Sequence, residues 1–442
     1  MSIFYKLVFL LSVFITVSGF TLGDQFDDGM SAYREKDYAA AFTIWKVLAE
    51  QGNAQSQAIL GFMYENGQSV SEDYKQAIYW LRKSAEQEHA GAQYALGGMY
   101  YEGKGITQDY NKANNWFLKA AKKGHVSAEF NLGLMYSNGH GVEKDLKQAA
   151  YWYRSAAEKG DKQAQYNLGV MFGNGFGVVK DVTQTVYWFR KAADQGHLMA
   201  QYGLANMYKR GSDVKLDYKQ AAHFYHKAAV QGHANAQLHL GFMYGEGQGV
   251  KQDRKESFFW YRNAADRGNA EAQSNLGKLY QDGLGVDLDD KQAIYWFLKS
   301  AEQGHAPAQN NLGFTYREGR GVKQDYKVAI NWYLQAAGQG LPEAQISLGW
   351  IYQNGKGVKK DNAEAINWYR KAADQGYVQA QNQLGILYSL EHDYKQVLYW
   401  FKKAADQGHR AAQTNLTILC KQQKLGCLVS PPQGRVQRVE SE

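Results

Sequence analysis

Cysteine is nearly absent. Only Cys420 and Cys427 occur among 442 residues, and no C-x-x-C spacing is present, which argues against zinc-ribbon and thiol-redox chemistry. The two thiols could close a small loop in an oxidising compartment or stay free, and the spacing does not decide between these. Proline is scarce at four residues, while apolar residues make up 45% and aromatic residues 14% of the chain, so an intrinsically disordered polymer is excluded. No block of lysine or arginine concentrates the net charge of +7, which speaks against nucleic acid as a partner. Signals for β-strands are missing. Paired carboxylates, a Ser-His-Asp set and a Cys-His set are missing too, so no catalytic residue and no cofactor site is expected. Long apolar runs are also lacking, apart from Leu7–Val17 within "MSIFYKLVFLLSVFITVSGF". That run is shorter than the ~20 residues a spanning helix needs. With Ser18 and Gly19 behind it, it reads as a signal peptide over residues 1–23. The mature chain is therefore expected outside the cytoplasm as a periplasmic, cell-surface or secreted protein with no membrane span.

What the chain has is period. Leu recurs at 60, 96, 132, 168, 204, 240, 276, 312, 348 and 384, always 36 apart, and Gly follows it everywhere except at Ala205. One unit reads "AQYNLGVMFGNGFGVVKDVTQTVYWFRKAADQGH", Ala164 to His197. Such a period marks a stacked repeat array. Each unit divides into two helices, the first near Ala164–Phe172 and the second opening at an aspartate such as Asp181, a preferred N-cap. The second helix ends at a glycine (Gly124, Gly160, Gly196 and their equivalents) suited to a left-handed backbone. "GNGFG", residues 173–177, resembles a phosphate-cradling loop, but it recurs in unit after unit and lacks a Gly-Lys-Ser/Thr ending. Its glycines are assigned to a sharp connection. The glycine after Leu sits inside a helix, where it costs about 1 kcal/mol relative to Ala, and this implies close approach of the two helices of a unit. Trp at 80, 116, 152, 188, 260, 296, 332, 368 and 400, with Phe224, forms a column assigned to the core.

The combined pattern A-x-x-x-L-G-x-x-Y-x-x-G-x-G-V-x-x-D-x-x-x-A-x-x-W-Y/F-x-x-A-A-x-x-G resembles SEL-one-like repeats (SLR), relatives of the tetratricopeptide repeat, over about residues 29–420. The resemblance implies an all-α fold, a right-handed α/α superhelical solenoid of about ten helix-loop-helix repeats over residues 24–427, whose first helices line a concave surface. It also implies a non-enzymatic scaffold or adaptor in protein complexes, and an exported bacterial member of the family, some of which act at the host interface. A lumenal adaptor of a eukaryotic secretory pathway is an alternative, although only one sequon, Asn415-Leu416-Thr417, is present. A cell-wall or β-lactam hydrolase is a further one, resting on Ser212-Asp213-Val214-Lys215, but this S-x-x-K has no K-T-G beside it. The first segment and the last unit lack the glycine loop, as shortened end units of a stack would. Residues 428–442 read as a disordered tail.

With core positions fixed by the repeat, binding is expected on the opposite side of the first helix, at positions −2, −1, +2 and +6 from the unit's Leu. The candidate groove comprises Phe130, Asn131, Leu134 and Asn138; Tyr166, Asn167, Val170 and Asn174; His239 and Phe242; Asn275; Asn311 and Phe314; and Trp350. An amide at −1 offers donors and an acceptor to a peptide backbone, and apolar −2 and +2 residues offer pockets. The same asparagines could instead belong to hydrogen bonding between units. His223-x-x-His226, with His239, could hold a metal only if all three converged, and surface histidines are the simpler reading. The "QGH" histidines are assigned to a repeated turn.

Overall fold

The computed structural model describes residues 22–422, and every regular element among them is a helix. There are 23, from α1 (Leu22–Arg34) and α2 (Tyr38–Glu50) through α3 (Ala54–Asn66) and α4 (Tyr74–Glu86) to α23 (Arg410–Gln422). All but one have 13 residues. From α3 onward odd-numbered helices open the units and even-numbered helices close them, and within each body the recorded packing is chiefly between helices consecutive in sequence. The chain divides into two compact bodies after Lys227. The signal-peptide expectation, except its last two residues, and the tail 428–442 lie outside the described residues.

The units fold as their caps dictate. In the first body, α9 (Lys162–Asn174) starts behind Asp161, whose carboxylate accepts the Ala164 N–H, and ends on Gly175 at φ +73°. It is thus two residues longer at each end than the expected 164–172, because these two caps and not the apolar pattern set its limits. Asp181 accepts the Gln184 N–H to start α10 (Val182–Asp194), and Gly196 follows at φ +80°.

The glycine after Leu has the expected packing reason. A Cβ on Gly169 would lie 2.5 Å from Cδ1 of Phe189, and one on Gly277 would lie 2.7 Å from Phe297. The ring that occupies the missing methyl's place is the residue after the tryptophan, not the tryptophan itself. Trp188 instead joins a cluster that spans two units, with Met171 and Phe172 of its own unit and Tyr153 of the preceding one. Trp116, Trp152, Trp332 and Trp368 are half-buried, so the column is core at most units and core margin at these. The loop glycine at 177, with φ +67°, lies against the start of the previous unit's second helix, where a Cβ would fall on the Leu146 carbonyl.

A second device escaped the pattern analysis. The glutamine three residues before each Leu is buried. Gln165 donates through Nε2 to the Ala157 carbonyl at 3.0 Å and accepts through Oε1 from Gln195 of the following helix at 2.8 Å. Equivalent rungs join Gln87 to Gln57, Gln303 to Gln273, Gln339 to Gln309 and Gln375 to Gln345. In one unit the pair is charged: Glu129, 2% exposed, accepts from Lys159 Nζ at 2.6 Å. Two rungs are missing, since Lys123 and Arg267 replace the donor glutamine and leave Oε1 of Gln93 and of Gln237 unpartnered.

The end units close their hairpins without the glycine loop. Lys36 at φ +66° and His392 at φ +61° take the left-handed position instead, each just before a capping aspartate, Asp37 or Asp393.

Candidate binding surface

On the first helices, Leu168 with Met171 and Phe172 turns inward and is buried. Tyr166, Asn167 and Val170 are half-buried and Asn174 is exposed. The same holds for Phe130, Asn131 and Leu134, with Asn138 exposed. The expected face is therefore the accessible one, although its four positions do different things.

At −2 the side chains serve the stack. Tyr166 lies flat on Phe189, with centroids 5.3 Å apart, and on His197 at 4.5 Å, while Phe130 packs on Tyr153 at 5.8 Å. These rings floor the surface and leave no pocket of their own. At −1 the asparagines divide. Asn167 reaches toward the Tyr153 hydroxyl, whose ionisation is pushed up by burial and eased by Ser137 and Asn167 beside it. Asn131, Asn275 and Asn311 are half-buried and make no side-chain hydrogen bond among the described residues. At +6 Asn174 and Asn354 turn back on their own helices, donating to the Val170 and Trp350 carbonyls at 2.9 and 2.8 Å.

The +2 position carries the exposed apolar area. Phe242 is 40% and Trp350 36% exposed, and His239 is half-buried one turn before Phe242. In the second body, the Arg317 guanidinium carbon lies 5.1 Å from the Phe314 ring and 5.4 Å from the Trp350 ring. It thereby bridges α17 (Ala306–Glu318) and α19 (Pro342–Asn354), and its Nε donates to Glu318 at 2.7 Å. Asn311 lies one turn before Phe314. A guanidinium between two rings, beside an unengaged amide, offers apolar contact and directional donors together.

The other sequence candidates fall into place as scaffold. Ser212–Lys215 is loop, not the opening of a helix, and the Ser212 hydroxyl donates to Asp213 at 3.3 Å. No group of three or more His, Cys, Asp or Glu able to hold a metal ion occurs among the described residues. No described helix is long and apolar enough to cross a membrane. Cys420 is buried near the end of α23, and Cys427 lies outside the described residues.

Of the repeated-turn histidines 125, 197, 233, 305 and 409, all but His305 cap the next helix through the side chain, as His89 of the sequence Gln-Glu-His also does, whereas His305 Nδ1 pairs with the Ser300 hydroxyl at 3.1 Å. Nδ1 of His89, His125, His197, His233 and His409 accepts a backbone N–H three residues on, at 3.1–3.3 Å. Units with Asn53, Asp161 or Asn269 at this place do the same with a side-chain oxygen. Burial, with His89 nearby, lowers His125 to about 4. Burial also lowers His89, His197 and His233, with Lys162 adding to the effect at His197. The spacing shows that a residue recurs, but imidazole is an uncommon cap and its role becomes visible only in the bond.

The Sel1 repeat family model matches ten consecutive segments, from 54–89 to 378–409. The chain is similar to the solved structure of c5321, described as a protective antigen present in uropathogenic Escherichia coli strains displaying an SLR fold. Identity there is 36% over 86% of this chain and 90% of that one, with a TM-score of 0.70. A Sel1 repeat protein from Oxalobacter formigenes is 30% identical over 86% of this chain and 99% of its own, with a TM-score of 0.49. No curated protein matches. The chain belongs to the Sel1 repeat family, an all-α solenoid class.

Proposed function

We propose that this Sel1-repeat chain is an exported, non-catalytic adaptor that holds a peptide or protein segment on the outward face of its first helices. Sel1 repeat proteins generally mediate protein–protein interaction, and the fold is typically a scaffold. The single observation behind the site is the Phe314–Arg317–Trp350 bridge with Asn311 beside it. It is a partly exposed aromatic and guanidinium surface, with Trp350 its most open member, in a repeat whose other polar groups are largely used within the stack, and such residues anchor interfaces. Export is supported by the N-terminal apolar run. A role toward a host is supported by the relative described as a protective antigen.

The test is affinity capture with residues 24–442 from periplasmic and host extracts, followed by mass spectrometry. A variant carrying Asn131→Ala, Asn311→Ala and Trp350→Ala is expected to lose the captured partner while keeping its helicity and melting point. Asn167→Ala is expected to leave capture intact. Equal capture by the triple variant would refute the site.

A further inference from the structure

A different face carries its own regularity. In each second helix, the residue just before the tryptophan (or Phe224), together with the residues four before and four after it, forms one row along the exposed side. Over ten second helices these rows contain 14 lysines and no aspartate or glutamate, in a chain with 50 basic and 43 acidic residues. The central position is aromatic six times, at Tyr79, Tyr151, Tyr187, Phe259, Tyr295 and Tyr399, each 48–62% exposed. Elsewhere it is Asn115, His223, Asn331 or Asn367, and it is never aliphatic.

The rings are held in one pose. Each of the six stands edge-on to its tryptophan, with centroids 4.8–5.0 Å apart and planes at 78–84°. A lysine one turn on lies over the ring at Tyr79, Tyr187, Tyr295 and Tyr399, 4.8–5.9 Å from the centroid. Lys75, Lys83, Lys291, Lys299, Lys395 and Lys403 join no ion pair among the described residues. The acidic residues of these helices lie outside the rows, in the last turn at Glu86 and Asp194, in the first turn at Glu256, Asp290 and Glu364, or at the N-cap as Asp73 does.

We propose that these rows, within each body separately, bind an acidic polysaccharide. Lys227 pairs with Asp194 at 3.7 Å, and the six lysines named above complement uronate or sulfate groups. A half-exposed ring edge-fixed by tryptophan presents a shallow apolar strip that fits the C–H face of a sugar. The asparagines at three of the ten central positions, Asn115, Asn331 and Asn367, can both donate to and accept from hydroxyls. Nucleobases stack over open ring faces, whereas here lysine covers part of that face, so single-stranded nucleic acid fits less well. A row in every unit, with a ring in six of the ten and an amide or imidazole in the rest, suits a linear polymer, which meets aromatic, basic and hydrogen-bonding groups at a regular step.

The experiment titrates the full chain with alginate oligomers, neutral dextran and oligo-dT, at low and at physiological ionic strength. Alginate is expected to bind, more weakly as salt rises, and dextran is expected not to bind. Tyr79→Ser/Tyr151→Ser/Tyr187→Ser combined with Tyr295→Ser/Tyr399→Ser, which disables both bodies, is expected to weaken alginate binding about tenfold or more with an unchanged circular dichroism spectrum. Should that variant unfold, Tyr295→Ser/Tyr399→Ser alone is expected to remove the second body's share of the bound alginate. Trp350→Ala is expected to leave alginate binding unchanged, which separates this surface from the protein-binding one. The proposal is overturned by no alginate binding, by full binding in folded tyrosine variants (charge alone), or by oligo-dT binding more tightly than alginate.

Discussion

Gly97 and Gly98 are neighbours on one helix, α5 (Ala90–Glu102), and replacing each by alanine should move stability in opposite directions. A Cβ on Gly98 meets nothing within 4 Å, and the backbone there is ordinary helix. Gly98→Ala therefore gains only the helix-propensity difference, about 0.8–1 kcal/mol. A Cβ on Gly97 would lie 2.7 and 2.8 Å from the Phe117 ring, which is 1% exposed and has no room to withdraw. Overpacking of this kind costs about 1–3 kcal/mol, which exceeds the same propensity gain, so Gly97→Ala should be net destabilising by up to ~2 kcal/mol. The assay is urea unfolding followed by circular dichroism, comparing midpoints at equal slope, because a long array need not unfold in two states. A higher midpoint for Gly98→Ala and a lower one for Gly97→Ala is the expected result. A rise for both would show that the glycine after Leu is not held there by the ring, and the account of the hairpin would fail.

Acid should loosen the stack through its histidine caps. Their folded pKa values are lowered, so their contribution is present in full above the unfolded value of about 6.5 and is lost as pH falls from there toward about 4, the value for His125. Replacing His89, His125 and His233 by Asn, the cap already used at Asn53, should flatten the fall in urea midpoint between pH 6.5 and 4.5 while leaving the pH 7.5 midpoint little changed. Parallel curves would refute this. At the charged rung, Lys159→Met leaves Glu129 buried without its cation and should cost about 3 kcal/mol or more, whereas Glu129→Gln with Lys159→Gln should recover most of it, read as melting temperature. Gly177→Ala should destabilise more than Gly196→Ala, since both demand positive φ but only the former presses on backbone; thermal unfolding of the two variants checks it.

Most of this architecture was legible because each recurrent residue solves a backbone problem. Asp181 caps, Gly196 turns left-handed and Gly169 makes space, and each is recognisable by type and place. The partner of Gly169 was less legible. Tryptophan is the more conspicuous residue, but Phe189 beside it points inward, a matter of one step of helical rotation. The glutamine rungs were hidden for another reason. A polar residue before an apolar run reads as helix start or surface, and only the fold reveals that Gln165 meets both the Ala157 carbonyl and Gln195. On the candidate surface, spacing located the face but could not separate Asn167, which reaches toward Tyr153, from Asn311, which does not; that difference depends on whether the preceding unit supplies a hydroxyl or the phenyl ring of Phe297.

The two missing rungs have a kinetic corollary. Where Gln93 and Gln237 lack their donor, the two helices of one hairpin lose that polar tie while the bonds to the Ala85 and Ala229 carbonyls of the preceding unit remain, so these hairpins are where local opening should begin within each body. Amide exchange would then show lower protection in the hairpins that end near Lys123 and Arg267. A protein built from near-identical units would in this way come apart at chosen joints, not from its ends inward.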